Sequence, residues 1–191
     1  MTNDFYGLPT ITLDNEHIRI DALAHAGPRL VRALIHGISE NQFAELPGLK
    51  IDTPLGPYTM QGGHRLWHAP EAMPRTYVPD DHGLESTLAD GTLTLESAVE
   101  PYSYIQKSMV IELLDDRPGL RIGQTITNTG AWPVELACWS ITQLPLGGIA
   151  LLPQAVHPVD SDQLLPNRSL VLWPYTRWQD PRLHLHDDLI L

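Results

Sequence analysis

Apolar and polar residues alternate with a period of two through much of this chain. Successive side chains of a β-strand point to opposite faces, so this period predicts strands that bury one face in a core. The alternation is clearest between residues 84 and 144, where polar turns separate the segments. The predicted strands are 11–13, 17–22, 30–35, 41–46, 85–88, 92–99, 104–114, 120–127, 134–144 and 149–152.

The connections between these segments favour antiparallel pairing. Asp90-Gly91 lies between two predicted strands, and this dipeptide is typical of a hairpin with a type I′ turn. Short strands separated by polar turns indicate an all-β fold, an antiparallel sandwich. Residues 74–81 begin with one proline and include a second at Pro79, and they predict an extended loop.

Composition and charge narrow the class of protein. The 191 residues are 42% hydrophobic and 18% charged, which predicts a single domain, 1–191, with a sizeable core. A net charge of -11 argues against nucleic acid as a partner. Cys138 is the one cysteine, which excludes an intramolecular disulfide and a multi-cysteine zinc site. Residues 1–4 lack the features of a signal peptide, so we expect a cytoplasmic protein without a membrane partner.

The C-terminal end of the sequence is an apolar run, 189–191, without a polar tail. A terminal strand of this kind leaves a sheet edge that can pair with another chain. We therefore expect either that the domain is the N-terminal part of a longer one, or that self-association covers the open edge.

The densest chemistry lies in residues 62–71, Gly-Gly-His-Arg-Leu-Trp-His-Ala-Pro-Glu. The glycine pair permits a tight turn, and the proline favours extended geometry before it, so the segment predicts a strand end or an ordered loop. Its side chains suit a small polyhydroxylated ligand, because polar groups can fix hydroxyls while an indole covers an apolar sugar face. The expected catalytic residues are His64 and Glu71, and the expected substrate-binding residues are Arg65, Trp67 and His68.

Two residues of a later predicted strand are expected at the same site. Trp139 and Gln143 are four positions apart, so their side chains share one strand face. We expect His64, Arg65 and Trp67 to converge with them on one pocket that binds a monosaccharide-like ligand.

Other interpretations of the motif stay open. Arg65 could pair with Glu71 as a purely structural contact. His64 and His68 have a spacing that suggests zinc on a helix, but the glycines and the proline argue against a helix, so we expect no metal and no other cofactor. A cupin-like metal-binding protein is a weaker alternative, because His64, His68 and Glu71 are followed by Pro153 and His157.

Several motifs together resemble the galactose-mutarotase-like superfamily, and more narrowly a bacterial branch of aldose 1-epimerase-like proteins. The resemblance spans nearly the whole chain and is carried by residues 62–71, 74–77, 128–130, 133–134, 139–144, 147–148 and 172–177. It implies a large antiparallel β-supersandwich whose concave sheet binds carbohydrate. It also implies that Arg75 is a substrate-binding residue.

The chain departs from the aldose 1-epimerase pattern at the catalytic residues. Trp139 stands where the resemblance would place the family's catalytic His, and the catalytic Glu of that family would lie beyond Leu191. We therefore expect a carbohydrate-binding protein whose mutarotation is slow or absent. An active enzyme would open and reclose a sugar hemiacetal by general acid–base catalysis, and it would need His64 or His68 as a substitute acid.

Overall fold

The structure is a computed structural model that describes residues 4–162 and 164–191. Its elements are almost all strands, joined by turns and one 3-10 turn at Arg75–Tyr77. The strands are β1 (Asp4–Phe5), β2 (Leu8–Asp14), β3 (Ile18–Leu23), β4 (Arg29–Ile35), β5 (Glu45–Ile51), β6 (Tyr58–Gly62), β7 (His64–Ala69), β8 (Glu85–Ala89), β9 (Thr92–Glu96), β10 (Ile105–Leu113), β11 (Leu120–Asn128), β12 (Ala137–Thr142), β13 (Leu152–Pro153) and β14 (Leu189–Ile190).

The strands form antiparallel sheets, as the period-two pattern predicts. The larger sheet has six strands in the order β1-β2-β3-β4-β7-β12, and a second has four in the order β11-β10-β9-β8. Two further pairs are β5-β6 and β13-β14. The predicted hairpin is confirmed: Ala89 pairs with Thr92, and Asp90 and Gly91 have φ values of 50° and 76°, the positive angles that a type I′ turn requires.

Three predicted elements differ clearly from the observed ones. The strand predicted at 149–152 is a strand only at Leu152, where β13 begins. The strand predicted at 41–46 begins only at Glu45, because the side chain of Asn41 accepts hydrogen bonds from the backbone of Ala33 and Phe43 and holds a turn. The segment predicted as an extended loop at 74–81 contains the 3-10 turn. Within it the Tyr77 amide donates to the Pro74 carbonyl, which takes the chain out of extended geometry.

The two larger sheets pack against each other through one apolar core. Ile20 of β3, Leu66 of β7 and Met109 of β10 are all buried in it. We call the face of the six-stranded sheet that carries Leu66 the inner face, and the opposite face the outer face. A second apolar cluster, formed by Tyr58, Met60 and Trp67, covers part of the outer face.

The described residues group into two compact units, one ending at Pro145 and one at Leu146–Leu191. In the second unit none of the described residues is buried, and large apolar side chains such as Leu164 and Trp178 are mostly exposed. Exposed apolar surface of this extent favours association, so the self-association expected from the sequence stays a prediction. None of the described helical residues belongs to a helix long and apolar enough to cross a membrane.

Candidate functional site

Residues 62–71 supply the strand at the centre of the candidate site. β7 lies between β4 and β12, and its first five residues are buried. Gly62 and Gly63 precede it with φ values of 86° and 67°. A Cβ on Gly63 would lie 1.9 Å from the carbonyl oxygen of Leu30, so only glycine allows this close approach of the two strands.

Strand alternation divides the polar residues of β7 between two faces. Arg65 and Trp67 point to the outer face, whereas His64 and His68 share the inner face with Leu66. The expected convergence of His64 with Arg65 on one pocket is therefore not met. Neighbouring residues on a regular strand cannot share a face, and the motif forms a strand rather than a loop.

On the outer face, four predicted site residues do come together. The Arg65 guanidinium lies 4.3 Å from the centre of the Trp67 ring, and its Nη1 donates to Gln143 Oε1 at 2.6 Å. Trp139 pairs with Trp67 across the strands, with ring centres 5.5 Å apart in an edge-to-face arrangement. We call Arg65, Trp67, Trp139 and Gln143 the outer-face cluster.

The outer-face cluster places the partly buried indole of Trp139 beside the amide of Gln143. Arg65 is buried, and burial lowers the pKa of its guanidinium. Because Arg65 binds the oxygen of the Gln143 amide, the donor that this side chain can offer a ligand is its amide nitrogen. Trp139 and Gln143 are each only partly buried, so a ligand can reach them. The contact with Arg65 fixes the orientation of the Gln143 side chain.

A layer of residues that the sequence analysis did not select holds Trp67 in place. Trp67 Nε1 donates to the Tyr58 hydroxyl at 2.8 Å, and the buried Arg29 donates to the same hydroxyl at 2.7 Å and to Asp80 at 2.9 Å. Arg29 also donates to two main-chain carbonyls of β6. Burial raises the pKa of Tyr58 to about 12, so this hydroxyl stays protonated. The sequence feature that could have indicated this layer is Arg29, a charged residue at the start of the mostly apolar strand β4.

Glu71 and Arg75 follow β7, and Arg75 is the first residue of the 3-10 turn. The exposed Glu71 accepts a hydrogen bond from the Tyr77 hydroxyl, and the Tyr77 ring lies 4.8 Å from the Trp67 ring. Arg75 donates to the Pro70 carbonyl. Both residues are thus near the outer-face cluster in sequence, and Glu71 is connected to it through Tyr77.

The inner face holds the two histidines of the motif in separate environments. His64 Nδ1 lies 2.9 Å from Thr142 Oγ1, and its Nε2 lies 3.0 Å from Gln124 Nε2. His68 is fully buried and lies 3.7 Å from Glu100. Four strand residues span roughly 13 Å, so both imidazoles cannot reach one metal. Among residues 4–162 and 164–191, no cluster of His, Cys, Asp and Glu could hold a metal ion.

The buried His64 is expected to lower the stability of the protein in mild acid. Burial, and then the charge of Arg65, lower the pKa of His64 to about 4. The unfolded chain takes up a proton near pH 6.5 whereas the folded protein does not, so stability drops as the pH falls from about 6.5 to about 4. We expect a loss on the order of 1–3 kcal/mol in urea unfolding between these values.

The His64→Gln variant isolates this contribution. It should lose less stability than the natural protein over the same pH interval, whereas His82→Gln, at an imidazole whose side chain is 85% exposed, should behave like the natural protein. Equal acid sensitivity of the natural protein and His64→Gln would contradict the assignment.

The fold and the site together define an all-β protein of antiparallel sheets, in which an arginine-backed aromatic and amide surface lies on the outer face of the larger sheet. No family model, curated protein or solved structure matches the chain. The argument for its function therefore rests on the site itself.

Proposed function

We propose that this protein binds a monosaccharide-like carbohydrate on the outer-face cluster, within a β-supersandwich of the galactose-mutarotase type. The observation that carries the proposal is the contact of Arg65 with Gln143 at 2.6 Å beside the paired indoles of Trp67 and Trp139. An indole plate and a fixed amide donor match the two surfaces of a sugar ring, its C–H face and its hydroxyl edge.

Binding without efficient catalysis is the form of this function that the geometry supports best. Trp139 stands where the resembled family has a catalytic His. The two histidines that could replace it face the core, and His64 is uncharged at neutral pH because its pKa is about 4. Glu71 is a carboxylate near the outer-face cluster, but a base alone does not supply the proton that hemiacetal opening requires.

Polarimetry tests the catalytic half of this proposal. Freshly dissolved α-D-galactose or α-D-glucose should change its rotation at the same rate with and without the protein. Saturation-transfer NMR on the same samples should show sugar protons in contact with aromatic side chains. A clear, protein-dependent acceleration of mutarotation would overturn the non-catalytic assignment, and it would make His64→Gln and Glu71→Gln the next variants to measure.

A further inference from the structure

The apolar face of β10 is interrupted by a charged residue. Ile105, Met109 and Ile111 point into the core and are at most 1% exposed. Lys107 occupies the same face by alternation and is only 5% exposed. A lysine at a core position is unfavourable unless a partner compensates its charge, and local rules of this kind are broken most often at functional sites.

The partner of Lys107 is a second buried charge. Glu100 is 8% exposed, forms an ion pair with Lys107 and accepts a hydrogen bond from Ser103. Burial raises the pKa of Glu100, but the adjacent His68 ring, the charge of Lys107 and hydrogen bonds from Lys107 and Ser103 outweigh it and leave the pKa below its usual value. The Glu100 carboxylate is therefore charged at neutral pH.

Stability alone does not explain why this ion pair and His68 are buried together. Replacing a buried ion pair with apolar side chains is often neutral or stabilising, so the pair is a poor way to hold a fold together. His68 packs against Glu100 at 3.7 Å, and neither of its ring nitrogens has a hydrogen-bond partner among the described residues. An unpaired buried imidazole adds a further cost.

A cavity of about 260 Å³ opens directly onto the ion pair. Glu100 and Lys107 form its polar wall together with Asp80, and the apolar walls include Pro79, Pro101 and Tyr102. Tyr102 is 51% exposed, so one side of the cavity is accessible to solvent. None of the four residues of the outer-face cluster lines it, so the cavity is a separate site.

We propose that this cavity binds a small polyol through two neighbouring hydroxyl groups. A carboxylate that accepts and an ammonium that donates, side by side, match the donor and acceptor needs of a vicinal diol. Both signs of charge are present, which disfavours a simple anion or a simple cation. Tyr102 and the two prolines offer apolar surface to the carbon face of the ligand. The volume suits a ligand of one small ring, below the usual range for drug-sized molecules.

A pair of isomeric probes tests the vicinal geometry. Cis-1,2-cyclohexanediol and 1,4-cyclohexanediol have the same atoms, but only the first has adjacent hydroxyls. We expect the 1,2-diol to shift the backbone amide signals of residues 97–100 and 102 in ¹⁵N NMR spectra with a Kd at least about ten-fold lower than that of the 1,4-diol. Equal Kd values, or no shift with either probe, would overturn the proposal.

The double variant Glu100→Leu, Lys107→Met removes the polar wall while keeping side-chain volume. It should fold with unchanged or higher thermal stability and lose at least ten-fold in affinity for the 1,2-diol, whereas Lys50→Met, at an exposed lysine, should change neither. Unchanged affinity in the double variant, or a large loss of its stability, would assign the pair a structural role instead. The indole signal of Trp139 reports on the outer-face cluster in the same spectra, so either site can fail independently.

Discussion

Replacing Arg65 with Met is expected to weaken monosaccharide binding by roughly ten-fold to a hundred-fold. The variant keeps the apolar stem of the side chain but removes the guanidinium that fixes Gln143 at 2.6 Å and stacks on Trp67 at 4.3 Å. A hydrogen bond to a charged group contributes about 1.5–3 kcal/mol, and each 1.4 kcal/mol corresponds to about a factor of ten in Kd. Calorimetric titration with D-galactose, D-glucose and D-xylose measures the change.

Matched variants separate the site from general effects. Trp139→Ala should also weaken binding, because Trp139 is the indole of the pair that is only partly buried and open to a ligand. Trp132→Ala and Arg121→Met, at side chains that are largely exposed, should leave the Kd unchanged. If Arg65→Met binds as tightly as the natural protein while remaining folded, Arg65 does not position the ligand-binding amide.

The largest loss of stability is expected from Arg29→Met, about 3–5 kcal/mol in the free energy of unfolding. Arg29 is 1% exposed and joins Tyr58, Asp80 and two carbonyls of β6 to β4. Its removal leaves the partly buried Asp80 and the carbonyls without their donor, and an uncompensated charge is costly in this environment. Urea unfolding followed by tryptophan fluorescence reports the change, because Trp67 depends on Tyr58.

Two controls define what Arg29 contributes. The Arg117 guanidinium forms an exposed ion pair with Asp116. Arg117→Met should therefore change the free energy of unfolding by less than about 0.5 kcal/mol. Asp80→Asn combined with Arg29→Met should cost less than the sum of the single changes, because the two residues share one contact. A loss below about 1 kcal/mol for Arg29→Met would contradict the network.

The strands could be predicted because the sequence pattern that specifies each of them lies within a few neighbouring residues. Alternation along β3, β9 and β10 and the Asp90-Gly91 turn each specify a strand or a hairpin without knowledge of the rest of the chain. The same alternation correctly groups Trp139 with Gln143. It also separates His64 from Arg65, which do not share a pocket because the predicted strand end or ordered loop is a regular strand, β7.

The supporting residues could not be predicted because they meet only in three dimensions. Arg29 and Asp80 are 51 positions apart. Their pairing depends on where the fold places the loop after the 3-10 turn relative to β4. The sequence indicates one member of the Lys107–Glu100 pair, but not the other. Lys107 interrupts the apolar period of β10. A charged residue at a core position indicates a buried partner, but the sequence does not identify which residue it is.

The binding of sugar at the outer-face cluster is tested most directly by ¹⁵N NMR of the tryptophan indole groups during titration with D-galactose, D-glucose and D-xylose. We predict that the indole signals of Trp67 and Trp139 shift and saturate, while those of the exposed Trp132 and Trp178 stay in place. Indole signals of Trp67 and Trp139 that remain unchanged at sugar concentrations up to about 100 mM, well above a millimolar Kd, would contradict the proposed carbohydrate site.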